Sequence, residues 1–117
     1  LTKKLELSVA LDKIVARIGR ERAKTGVYFA SKGKLPNSKK ELYKQRMITN
    51  QAINELREIL KKYPELNDVN LQKISAMINN INNIRRGVDT FKLNFKKWFI
   101  LYYTKMDAFI YDYEGKL

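Results

Sequence analysis

At 117 residues with 44% hydrophobic content, the chain is long enough for one domain with a modest core and too apolar for disorder. Its formal charge of +12 fits nucleic acid, an anionic membrane surface or an anionic ligand as partner. Cysteine and histidine are both absent, which excludes disulfides and thiolate metal sites and removes the commonest general base; the expectation is a non-enzymatic chain with no cofactor and no metal.

The first predicted helix runs from Thr2 to Ser31, with Leu7, Leu11, Ile14, Ile18, Arg22, Thr25 and Phe29 inward. It stops at "SKGKLPNS", where Gly33 and Pro36 break the pattern. A second helix begins at Ser38, an expected N-cap that forms a capping box with Glu41. Its stripe is Leu42, Arg46, Thr49, Ile53, Leu56, Leu60 and Tyr63, and Pro64 ends it. A third, capped by Asn67 or Asp68, carries Leu71, Ile74, Ile78, Ile81, Arg85 and Val88. A fourth starts near Asn94 and turns Phe95, Phe99, Tyr102, Met106, Phe109 and Tyr113 inward, with Trp98 and Ile110 beside them. Four amphipathic helices with short links predict an all-α fold, an antiparallel up-down-up-down four-helix bundle. No linker or repeat divides it, so residues 1–117 form one expected domain. No signal peptide or membrane-length apolar run is legible, and the abrupt helical start at Leu1 reads as a piece of a longer protein.

Each of the first three stripes contains one arginine: Arg22, Arg46 and Arg85. Arg22 precedes the first turn by about nine residues and Arg46 follows it by about eight, so at a rise of ~1.5 Å per residue the two lie level. Arg46 and Arg85 both sit about 17 residues from the second turn, or ~25 Å. The fourth helix passes this layer near Trp98, Phe99, Tyr102 and Tyr103. Three guanidiniums with Thr25, Thr49 and an aromatic wall including Tyr102 make a candidate pocket for a small planar oxyanion. The competing arrangement pairs the arginines with Glu21 and Asp89 and leaves no room for a ligand, or lets them snorkel to the surface.

The remaining lysines fall mostly off the inward stripes, either as a solvated face or as a funnel for anions. Basic residues are spread along the chain and interleaved with acids, so nucleic-acid binding is not expected. The run "WFILYYTKMDAFIYDY" reads as core, with Trp98 and the outward tyrosines available for a subunit contact. No nucleophile–base pair is visible.

"RERAKTGVYFASKG", with its Glu-Arg pair, small residues, aromatic and closing turn, resembles the opening motif of the nitrate- and nitrite-sensing (NIT) domains of bacterial receptors. "LYKQRMITNQAINEL", "IRRGVD" and "FILYYTKMDAFI" are similar to the next three blocks, in the family's order, from Leu7 to Ile110. Ala23 stands where the family usually has glycine, Thr49-Asn50 replaces its Thr-Asp, and Phe91 and Lys92 replace small residues. The resemblance implies a sensor domain, usually extracytoplasmic (periplasmic), between two membrane spans of chemotaxis receptors, histidine kinases or cyclic-dinucleotide enzymes, with cytoplasmic antiterminators also using it; the expectation here is a methyl-accepting chemotaxis protein, membrane-anchored and acting as a homodimer. It implies nitrate or nitrite as the anion ligand and carries the arginine role to Arg22, Arg46 and Arg85. The alternative class is a non-sensing basic interaction module that docks on a protein partner or an acidic surface.

Overall fold

The computed structural model describes residues 2–94, 96 and 104–117. Regular structure among them is helical: α1 (Thr2–Ala30), α2 (Ser38–Lys62), one 3-10 turn (Pro64–Leu66), α3 (Val69–Asn79), α4 (Ile81–Asp89) and α5 (Lys105–Gly115). Phe95, Trp98, Phe99, Tyr102 and Tyr103 of the expected fourth helix lie outside the described residues. The 29 residues of α1, at about 1.5 Å each, span most of the molecule's 48 Å long axis.

Cross-helix pairs fix the directions. Lys3 reaches Glu65, Lys62 reaches Glu6, Lys13 reaches Glu55 and Lys24 reaches Glu41, so α1 and α2 run antiparallel. Arg57 bonds Asn79, Arg85 bonds Asn50 and Arg46 bonds Asp89, which sets α3 and α4 antiparallel to α2. Ser8 of α1 donates to Glu114 of α5.

Local chemistry sets the ends. Gly33, at φ 74°, follows α1 in the left-handed region, and its N–H returns to the Tyr28 carbonyl at 2.8 Å. A Cβ there would press on the Tyr28 ring at 3.0 Å. At α2 the expected capping box is not formed. Asn37, at φ 65°, takes the cap position; the helix already includes Ser38, whose buried Oγ has no hydrogen-bond partner, and Glu41 pairs with Lys24 instead. Asp68 caps α3 as expected, its Oδ1 accepting from the Leu71 N–H at 2.8 Å. The expected single third helix is split at Asn80, where the ladder tightens to an Asn83 N–H bond onto the Asn80 carbonyl. Four asparagines around it (Asn79, Asn80, Asn82, Asn83) have weak helix propensity and side chains that compete for backbone partners.

The core follows an alternation of four- and three-residue steps. On α1 it runs through Leu7, Leu11, Ile14, Ile18, Glu21, Thr25 and Tyr28, with Ala10 buried beside it; on α3 and α4 it runs through Leu71, Ile74, Ile78, Ile81, Arg85 and Val88, with Ile84 buried beside it. That is the 3.5-residue period of a left-handed helix seam. It corrects three expectations. Glu21 rather than Arg22 is fully buried, Tyr28 rather than Phe29 completes the stripe, and Phe109 is 45% exposed while Ile110 fills the core. Phe91, at φ 54°, stacks on Tyr28 with ring centroids 5.4 Å apart and lies 5.7 Å from Phe29, closing one end.

Candidate functional site

Beyond Ile18 the same seam turns polar. Glu21 and Thr25 on α1, Gln45, Arg46 and Thr49 on α2, and Arg85 on α4 are all buried. A buried charge in such a layer is tolerable only if paired and hydrogen-bonded.

Arg85 meets that demand fully. Its Nε donates to Glu21 Oε2 at 2.9 Å and its Nη2 to Oε1 at 2.7 Å, a two-bond fork from α4 to α1. Nη1 donates to Asn50 Oδ1 at 2.6 Å and to Asn82 Oδ1 at 3.4 Å, and Nη2 also reaches the Arg46 carbonyl at 3.4 Å. A guanidinium has five N–H donors, and each here has an acceptor.

Arg46 is held differently. Its Nη1 donates to Asp89 Oδ2 at 2.9 Å, so the carboxylate sits at the tip of the guanidinium. Nη2 lies 2.9 Å from Asp89 Oδ1 but off the line of its N–H bonds, an ion contact rather than a hydrogen bond. The Tyr43 ring lies 5.1 Å from the guanidinium carbon, and its hydroxyl donates to the same carboxylate at 3.5 Å. Both Nε and Nη2 are buried; among the described residues neither makes a hydrogen bond, and Nη2 meets Asp89 only through that ion contact. They form the side-on edge, the same edge with which Arg85 clasps Glu21.

Arg22 is half-buried on the flank of the seam. Its charge faces Asp107 of α5, a carboxyl that burial pushes above the usual range and that Arg22 pulls back down. The two threonines are committed to the helices: Thr25 Oγ1 donates to the Glu21 carbonyl at 2.7 Å, and Thr49 Oγ1 to the Gln45 carbonyl at 3.0 Å. Gln45 itself donates to the Arg17 carbonyl at 3.4 Å. Tyr102 lies outside the described residues.

Of the candidates chosen from sequence, Arg46, Arg85, Thr25 and Thr49 therefore share one buried layer, with Arg22 at its rim. Its arginines are not bare. Glu21 and Asp89 pair with Arg85 and Arg46, the competing arrangement foreseen from the sequence, and Asp107 faces Arg22. The stripe reading puts Arg22 inward and omits Gln45; Asn50 enters the sequence reading only as a departure from the family pattern. Carrying the four-three alternation unbroken past Ile18 lands on Glu21, and past Leu42 on Gln45.

The family model described as nitrate and nitrite sensing matches residues 13–115, which include every residue of this layer. Neither a curated protein nor a solved structure matches the chain.

Proposed function

The chain belongs to the NIT family of nitrate and nitrite sensing domains, and we propose that it is the periplasmic input domain of a bacterial chemotaxis receptor that binds nitrate or nitrite in the arginine layer. The observation that carries this reading is the buried Nε–Nη2 edge of Arg46, which makes no hydrogen bond among the described residues while the Asp89 carboxylate meets the Nη tip. Two parallel N–H donors match two oxygens of a planar oxyanion, and exclusion of water strengthens the bonds.

Arg85, with every donor engaged, serves as the fixed member that holds α4 to α1. Arg22 is the adjustable one. Proton uptake by Asp107, which burial favours, would release the Arg22 charge to the ligand and offset the negative charge it brings. Thr25 and Thr49 back the layer. Binding then shifts the balance between Asp89 and the anion for Arg46, and with it the seat of α4 on α2. A signal requires only that the ligand favour one of the two helix arrangements. In a homodimeric receptor α1 and α5 would pass that shift to flanking membrane spans. Among the described residues no helix is long and apolar enough to cross a membrane.

Calorimetric titration with nitrate, nitrite, chloride, sulfate and acetate tests this. Selective heat with nitrate or nitrite is expected, weakened about 10- to 100-fold in Arg46→Gln, the loss of two charge-assisted hydrogen bonds. A response that is indifferent to the anion and unchanged in Arg46→Gln would instead favour the docking module.

A further inference from the structure

A second set of donors begins one turn from Arg46 at Asn50 and extends away from it along α2. Asn50, Asn54 and Arg57 share one face of α2, at helical spacing. Across from them stand Asn79 at the end of α3 and Asn82 in the first turn of α4. Together with three isoleucines they line a cleft of about 220 Å³. Arg57 is eleven positions beyond Arg46 in α2, or ~16 Å along the helix.

The polarity of this cleft is one-sided. Arg57 Nη1 donates to Asn54 Oδ1 at 2.9 Å and Nη2 to Asn79 Oδ1 at 2.7 Å. Arg85 Nη1 takes Asn50 Oδ1 at 2.6 Å and Asn82 Oδ1 at 3.4 Å. Arginine has no acceptor, so each carboxamide must turn its oxygen to a guanidinium and keep its NH₂ for something else. No carboxylate lines the cleft, and among the described residues Arg57 has no acidic partner. Donors, a net positive charge and apolar walls are what an anion site needs, and nothing in the lining repels an anion.

We propose that this asparagine cleft is a second oxyanion site, separate from the Arg46 edge and suited to a planar, singly charged oxyanion. Nitrate and small carboxylates share that chemistry. Asn50, bonded to Arg85 and open to the cleft, joins the two sites, so occupancy of one changes the seat of the other. Asn50 is an amide and adds no negative charge to the cleft.

The test is a titration of the isotope-labelled protein with potassium nitrate and, separately, potassium acetate, each balanced against potassium chloride at constant ionic strength. The side-chain NH₂ signals of Asn50, Asn54, Asn79 and Asn82 are followed by NMR. Saturable shifts in these four signals with nitrate or acetate support the site, and which salt acts identifies its ligand. Arg57→Gln, on an exposed side chain, should weaken that response about tenfold. Asn79→Asp should abolish it. Shifts that drift linearly with salt, that chloride produces equally, or that persist in Arg57→Gln overturn the proposal. The outcome is distinct from failure of the first site, which is read from Arg46→Gln.

Discussion

The two ends of this helical seam are built from opposite materials. At one end Leu7, Leu11, Leu71, Ile74, Ile110 and Tyr113 close on one another without a charge among them. At the other, Glu21, Thr25, Gln45, Arg46, Thr49 and Arg85 occupy equivalent positions and are joined by directed bonds. The apolar end is stabilised by surface removed from water and tolerates substitutions that conserve volume. The polar end has partner-specific geometry, and loss of one partner leaves a buried charge exposed to a low-dielectric interior. On the proposed reading, one end holds the helices together and the other carries the bonds that an anion would redistribute.

The largest effect should come from breaking the polar end. Glu21→Ala strands the buried Arg85 guanidinium, and urea unfolding should show a loss of about 3–5 kcal/mol. The double variant Glu21→Leu with Arg85→Met should recover most of that loss while ligand response is altered, because a buried ion pair contributes little net stability over apolar groups of similar volume. Leu11→Ala at the apolar end should cost about 2–5 kcal/mol by the same measurement, through lost burial and the cavity left behind, with no effect on anion selectivity. Asp68→Ala removes one helix cap bond outside both regions and should cost about 1 kcal/mol.

The smallest expected effect is a pH dependence at the contact between α1 and α5. Glu114 is pushed up to about 7 from its ordinary 4.5, first by burial and then by a hydrogen bond and charge from Asp12. The folded chain thus keeps a proton that the unfolded chain has released. Stability from this group is complete below pH 4.5 and declines as pH rises towards about 7. Thermal melts of the wild type should show that decline, and Glu114→Gln should flatten it.

Much of the fold was legible. The stripe on α3 and α4 from Leu71 to Val88 is buried in full, and Asp68 caps where an aspartate before an apolar run should. Errors came where two readings were locally equal. On α1, Glu21 and Arg22 are adjacent and both polar, so hydropathy could not choose between them; only the seam's regular period does. At Ser38 a capping-box spelling was present, but the left-handed Asn37 started the helix one residue early for the box to close. The candidate site was legible as a level of arginines, while the state of each was not.

The first two helices, the Asp68 cap, the stripe from Leu71 to Val88 and the shared level of Arg46 and Arg85 were determined by the sequence itself, because propensity, capping and periodicity act within a few residues. Tertiary structure alone decided that Glu21, Asn50, Asn82 and the Arg46 carbonyl together take up the Arg85 donors, while Asp89 meets Arg46 at its Nη tip. That choice depends on distances of a few ångströms between helices far apart in the chain, and on which charges the shared interior leaves with no water to satisfy them.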